Sequence, residues 1–278
     1  MKNIKKGANR YFSYLFVIVV MLLFVFPLAW MFILATNSKA DIYTFPPPLL
    51  PGTELVSNFQ RLFDTIPFWM NLWNSVYVGV LNTVLILFVS SFAAFGFARF
   101  VNAPGNKWLF YVVVGSIMVP PLAGIIPWFM EMKWLGWIDT HWPLIIPTAA
   151  YPFGVFWMHQ YIKQAVPEEL YEASILDGAS EMRIYLQVVI PLIRPGLGAL
   201  AILAFLNSWQ NFQLPLIVLN STEKFTIPLA LANLTTMFGT DVAGIMLGTS
   251  ISVLPIFIAF VLASNHFIEG LTSGSVKS

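Results

Sequence analysis

The sequence predicts an all-α integral membrane protein of about six transmembrane helices, with both termini in the cytoplasm and a single transmembrane domain over residues 1–278. Three observations carry that expectation. Of the residues, 58% are hydrophobic and only 10% are charged, against about 25% charged in soluble domains; folding in water would leave too much apolar surface exposed, and a bilayer suits this composition. Six apolar stretches approach the ~20 residues that cross a hydrocarbon core of about 30 Å. Lysine and arginine fall unevenly on the segments between them.

The stretches are Leu15–Ala35, Val76–Phe97, Trp108–Met130, Trp142–Ile162, Leu197–Leu219 and Ala243–Ala263. The first follows four basic residues (Lys2, Lys5, Lys6, Arg10) and imitates a signal peptide. It exceeds the 7–15 apolar residues typical of such a peptide, and no small-x-small cleavage site closes it, so it reads as a retained helix. The third and fourth contain Pro120, Pro121, Pro127, Pro143, Pro147 and Pro152. These kink them or trim their ends, and the freed backbone groups require neighbouring helices. Lys2, Lys5, Lys6, Arg10, Arg99, Lys107, Lys163, Arg183, Arg194 and Lys277 fall on one side, and Lys39, Arg61, Lys133 and Lys224 on the other. Ten against four, all fourteen in the chain, place the first side in the cytoplasm.

Composition also excludes. A net charge of +1 provides no basic surface for nucleic acid. With no cysteine, disulfides, thiolate metal sites and cysteine nucleophiles are ruled out. The three scattered histidines, His141, His159 and His266, have no acids at ligand spacing and predict no metal site.

The connections differ in character. Residues 36–75 form an external loop containing Phe45-Pro46-Pro47-Pro48, and residues 264–278 a cytoplasmic tail. Residues 166–195 form the longest cytoplasmic connection, which is neither Gly/Ser-rich nor of low complexity. It reads as two short helices with a tight break. Pro167 suits the first helical position, and Glu168 and Glu169 favour the first turn. Leu170, Ala173 and Leu176 recur at helical spacing. Gly178 stops the first helix in a left-handed conformation, Ser180 caps the second with Glu181 in its first turn, and Pro191 and Pro195 end it. Five of the thirteen acids lie here (Glu168, Glu169, Glu172, Asp177, Glu181). On periodicity alone, the segment is either a docking element for a soluble partner or a solvated hairpin without one.

Glu172-Ala173-Ser174, then Gly178, Val188 and Ile190-Pro191 resemble the EAA loop of binding-protein-dependent ABC importer permeases, without a gap in the spacing. Ser174 stands for the second Ala, Val188 for Ile and Ile190 for Leu. Asn74-Ser75, Phe95-Gly96-Phe97-Ala98-Arg99, Trp209-Gln210-Asn211-Phe212 and the ending from Phe267 to Lys277 are similar to the carbohydrate branch of maltose-type permeases. The resemblance implies a type I permease fold in the cytoplasmic membrane of a prokaryote. It also implies a second permease subunit, two ATPase subunits, an extracytoplasmic sugar-binding protein and a sugar substrate moved by alternating access. Glu172, Ala173, Ser174, Asp177, Gly178 and Pro191 would form the coupling surface against the ATPase. The chain itself would hold no cofactor, ATP and Mg residing on the ATPase, and it lacks a Gly-x-x-x-x-Gly-Lys-Ser/Thr loop.

In the fifth stretch Asn207, Gln210 and Asn211 fall at i, i+3 and i+4 on one helical face, with Trp209 and Gln213 nearby. Amides supply the donors and acceptors that sugar hydroxyls need, and an aromatic face stacks on a sugar ring. The same amides equally suit interhelical hydrogen bonds. Asn82 and Thr83 read as packing groups. The external segment from Glu223 to Asp241, with Glu223, Lys224 and Thr226, is the expected contact for the binding protein. A secondary carrier would need acids or paired charges inside the membrane, a channel a charged ring or filter repeat, and an enzyme an acid/base constellation. None of these patterns is present.

Overall fold

The computed structural model describes residues 2–236 and 239–272, with side chains from 13 to 235 and 239 to 261. The helices are α1 (Lys2–Ala35), α2 (Lys39–Ile42), α3 (Leu55–Thr65), α4 (Phe68–Arg99), α5 (Asn106–Ser116), α6 (Ile125–Trp134), α7 (Trp142–Ile145), α8 (Pro152–Ala165), α9 (Glu168–Leu176), α10 (Glu181–Ile184), α11 (Ile190–Leu192), α12 (Arg194–Trp209), α13 (Gln213–Val218), α14 (Ile227–Ala232) and α15 (Val242–Thr272). A two-residue antiparallel pair, β1 (Thr235–Thr236) and β2 (Gly239–Thr240), sets Thr235 opposite Thr240.

Among the described residues three helices are long and apolar enough to cross a membrane unbroken: Ser13–Ala35 of α1, Phe68–Arg99 of α4 and Val242–Val261 of α15. The other three stretches are broken. The third bends by 98° between α5 and Pro121–Trp134, because neither Pro120 nor Pro121 has an N–H to continue the ladder. The fourth is divided into α7, a 3-10 turn over Pro147–Ala149, and α8. The fifth does not run to Leu219: α12 stops at Trp209 and the chain resumes in α13. The 36–75 connection is partly helical, α3 occupying 55–65 and α4 beginning at Phe68. Helix α15 continues to Thr272, and residues 273–278 lie outside the described residues.

Two compact units are present. One comprises the chain up to Phe68 with Ala230–Leu254. Its polar centre is Asp241, buried ahead of α15. Its carboxylate receives Arg61 through Nε at 2.6 Å and Nη2 at 3.2 Å, and the Gly244 amide at 3.1 Å. Arg61 also donates to Asn58 Oδ1, whose amide closes the end of α1 by donating to the Ala35 and Asn37 carbonyls. Along the middle of α1, Leu22, Leu23 and Phe24 are largely exposed. In lipid such a surface carries no penalty.

The second unit comprises Trp69–Leu229 with the chain from Pro255 onward. Its core gathers Ala94 and Phe95 of α4, Met158 and Ile162 of α8, Tyr171 of α9, Ile184, Tyr185, Val189, Ile193, and Leu200 of α12. Helices α8 and α12 approach closely because Gly196 has no side chain. A Cβ there would sit 2.7 Å from the Tyr161 ring, and the Gly196 carbonyl accepts from Trp157 Nε1 at 3.1 Å. Gly196→Val is therefore expected to lower the melting temperature of the solubilised chain by roughly 2–10 °C. Gly96→Ala, where nothing lies within 4 Å, is the control in the same thermal-shift measurement and should leave it unchanged.

Candidate functional site

Two features of the second unit present polar side chains without partners among the described residues. The first is the hairpin of α9 and α10. Helix α9 closes as a Schellman motif: the Gly178 amide donates to the Ile175 carbonyl at 2.9 Å and the Ala179 amide to the Ser174 carbonyl at 3.0 Å. Gly178 holds φ at +74°, where a side chain would be strained. Ser180 then caps α10, its hydroxyl accepting from the Arg183 amide. Two expectations are corrected. Pro167 is the N-cap, one residue before α9. Pro191 does not end the second helix, which passes through a π turn at Tyr185–Val189 into α11, and Pro195 lies in the first turn of α12. Pro191 has no N–H to return to the preceding turn, and the helix widens just before it.

Beneath the hairpin, Arg99 at the end of α4 is mostly buried. It meets Glu181 through Nε and Nη2 at 3.3 Å and Glu168 through Nη1 at 3.4 Å. Its guanidinium lies 5.1 Å from the Tyr171 ring centroid. Burial, with Glu168 adding, pushes the Tyr171 hydroxyl up to about 12, so it remains neutral. Tyr185 Oη pairs with Ser91 Oγ at 2.8 Å, and its ring packs on Phe92 and Phe95. The outer face is bare. Leu170, Ala173 and Leu176, the residues at helical spacing, are exposed, and Tyr171 is the residue that turns in. Glu172 and Asp177 are exposed too, and no side-chain hydrogen bond or ion pair engages them among the described residues. A groove of about 180 Å³ beside them is lined by Ser174, Asp177, Ala179, Arg183 and Gln187.

The second feature is an open chamber of about 710 Å³. The break after α12 creates it, and Asn207, Gln210, Asn211, Phe212 and Gln213 line it, facing Thr148, Tyr151 and Leu122. Asn207, Gln210 and Asn211 do not share a helical face as their spacing implied, because Gln210 is the C-cap of α12 and Asn211 lies beyond it. The turn brings them to one cavity all the same, and adds Gln213. Trp209 is buried against Phe205, with 5.5 Å between ring centroids, and does not reach the chamber. Among the described residues Asn207, Gln210 and Gln213 make no side-chain hydrogen bond, whereas Asn211 Oδ1 caps α13 by accepting from Leu214 N at 3.2 Å. Asn82 behaves as a packing group, donating to the Ile145 carbonyl and Thr148 Oγ1. Tyr151 and Phe212, absent from the sequence expectation, complete the lining. Their signal was one of position, each lying at a break in an apolar stretch.

The loop between α13 and α14 is fixed on α4. Asn71 donates to the Thr222 and Phe225 carbonyls, Asn74 to those of Glu223 and Phe225, and Ser75 accepts from the Ile227 amide. Glu223 and Lys224 are exposed there. Thr226, expected at the same contact, is instead buried at 4% exposure, between the Phe225 carbonyl held by Asn71 and Asn74 and the Ile227 amide held by Ser75.

A multi-pass helical chain that keeps an amide-walled chamber between broken helices and exposes a capped hairpin has the build of a membrane transport permease. A family model described as "Binding-protein-dependent transport system inner membrane component" matches residues 86–272. The chain is 31% identical to the lactose transport system permease protein of Rhizobium radiobacter over 91% of both chains. It is 32% identical to the arabinooligosaccharides transport system permease protein of Bacillus subtilis, over 95% of this chain and 94% of that one. It is 30% identical to the sn-glycerol-3-phosphate transport system permease protein of Escherichia coli, over 74% and 75%. A solved bacterial ABC transporter involved in the import of the acidic polysaccharide alginate shares the fold at TM-score 0.78 and 20% identity, over 94% and 98%. The chain belongs to the family of inner membrane components of binding-protein-dependent transport systems, and its fold is that of an ABC importer permease.

Proposed function

We propose that this chain is one of two permease subunits of an ATP-driven importer that moves a sugar or oligosaccharide inward by alternating access. The observation that carries the substrate class is the chamber: four amides, of which Asn207, Gln210 and Gln213 make no side-chain hydrogen bond among the described residues, set with Tyr151 and Phe212 in a cavity of about 710 Å³. Neutral amides offer both donors and acceptors to hydroxyl groups, and aromatic walls cover the apolar faces of sugar rings. Relatives transporting lactose and arabinooligosaccharides support the same class. In this reading Asn207, Gln210, Asn211 and Gln213 meet the substrate, and Trp209 supports them from behind.

The coupling surface is Glu172, Ala173, Ser174, Asp177 and Gly178, with Pro191 setting the course of the chain behind it. It docks on a separate ATPase subunit that carries ATP and Mg, so this chain needs no nucleotide site or cofactor. Glu223 and Lys224 face an extracytoplasmic binding protein on the side that the lysine and arginine bias assigns to the outside. With the partner chains co-expressed, cells should take up labelled lactose or arabinotriose. Gln210→Ala with Asn211→Ala should raise KM for the transported sugar roughly tenfold, as for two lost hydrogen bonds. Uptake of a sugar by this chain alone, without ATP, would replace this reading with a secondary carrier.

A further inference from the structure

Outside the chamber a second cavity, of about 260 Å³, is lined by Tyr77, Asp139, Thr140, His141, Trp142 and Lys224. Its rim is rigid. Asp139, at φ +57°, accepts from the Asn220 and Ser221 amides at 2.9 Å, from Ser221 Oγ at 2.6 Å and from Lys224 Nζ at 3.0 Å. Burial alone would raise its carboxyl; the bonds from Ser221, Asn220 and Lys224 outweigh it and hold the group well below the usual carboxylate range. Lys224 Nζ also donates to the Asp139 carbonyl at 2.7 Å, and His141 Nε2 pairs with the Lys224 carbonyl at 2.7 Å. The Tyr77 and His141 rings meet edge to face at 5.6 Å.

This lock leaves specific groups unspent. Among the described residues no hydrogen bond engages Tyr77 Oη, His141 Nδ1 or Trp142 Nε1, and Lys224 Nζ keeps a further donor. Trp142 is 48% exposed. The pocket thus has aromatic faces with donors and acceptors at their edges, supplied here by Tyr77, His141, Trp142 and Lys224 and in the larger chamber by amides beside Tyr151 and Phe212.

Position links the two. Along α4, Tyr77 leads to Asn82 and Ile86, and along the broken fourth stretch Trp142 leads to Leu144, Thr148 and Tyr151. Those inner residues line a small cavity shared with Asn207 and Asn211. Five residues of helix separate Tyr77 from Asn82, a rise of about 7–8 Å.

We propose that Tyr77, His141 and Trp142, with Lys224 on the rim, form an outer subsite that holds one sugar ring before it passes to the amide chamber. It rests on the sugar-import reading above. The outer cavity has little more than a third of the chamber's volume, so it takes a single ring where the chamber takes a longer piece.

The chain contains no cysteine, which makes the test clean. Thr140→Cys at the outer cavity and Leu122→Cys in the chamber lining are introduced separately into the tagged chain of the assembled transporter in right-side-out vesicles. Their reaction with an impermeant maleimide is timed with lactose, arabinotriose or maltotriose, without binding protein. Asn220→Cys, whose backbone amide still donates to Asp139 beside the outer cavity, replaces Thr140→Cys should the latter fail to assemble. A sugar that protects Leu122→Cys is expected to slow the outer cysteine about fivefold at four-fifths occupancy, and Trp142→Ala is expected to make that outer protection require roughly tenfold more sugar. Protection of Leu122→Cys with an unprotected outer cysteine overturns the outer subsite and leaves sugar import standing. Protection of neither by any sugar fails the import reading and the subsite together. An outer cysteine protected by binding protein but by no sugar makes this cavity a docking surface and overturns the proposal.

Discussion

Exchanging Glu172 for lysine is expected to abolish recovery of an ATPase subunit with the chain while leaving the chain's own stability unchanged. Glu172 sits on the exposed face of α9 and has no partner among the described residues, so reversing its charge removes nothing that holds the fold. Surface substitutions of this kind usually stay within about 0.5 kcal/mol. A carboxylate enclosed in a partner's cleft is different, since truncating one member of a buried charge pair costs about 2–5 kcal/mol, or roughly 30-fold or more in affinity. Gly178 offers an independent lever. Space around it is free, so Gly178→Ala acts only through its φ of +74°, a strain of about 1–2 kcal/mol that shifts the hairpin's exit. Co-purification by mass spectrometry reads both, beside the melting curve of the purified chain. Undiminished recovery of the ATPase with Glu172→Lys would mean that the hairpin is not the docking surface.

The second large effect belongs to Arg99. Each of its ion pairs reaches a carboxylate that is 42% or 69% exposed, and such pairs are worth under about 1 kcal/mol. Arg99→Ala should therefore leave the chain assembled. What it removes is a cation that joins the last turn of α4 to both arms of the hairpin, stacked on Tyr171. We expect transport to fall at least about tenfold, the equivalent of ~1.4 kcal/mol, while ATP hydrolysis by the complex persists. Arg99→Lys should restore only part of it, because an ammonium cannot reproduce the planar fork or the stacking. The measurement is the ratio of sugar moved to ATP hydrolysed in vesicles. A parallel loss of both would reassign Arg99 to docking instead of transmission.

The hairpin was readable in advance because its signals are local. A glycine at a left-handed position and a serine cap act on residues three or four places away, and the structure places Gly178 and Ser180 in those roles. Pro191 was misread for an equally physical reason: a proline without an N–H can be absorbed by a π turn as well as by a helix end, and the neighbouring packing of Tyr185 against α4 selects the former. Trp209 and Thr226 were placed on contact surfaces because polar or aromatic character was the only available guide. Trp209 is buried beside Phe205, and Thr226 lies between Phe225 and Ile227, whose backbone bonds Asn71, Asn74 and Ser75 some 150 residues away.

By itself the sequence determined the solvent, the helical class, the approximate places of six apolar stretches and the hairpin, because composition, length and nearest-neighbour rules are enough for these. Only the tertiary structure decided which stretches break, which face of each turns inward, and that Tyr77, His141 and Lys224 meet at one cavity. In lipid an apolar side chain is equally at home facing the bilayer or the interior, so hydrophobic periodicity does not mark the buried face. The contacts between distant polar groups, which do mark it, exist only once the helices have packed.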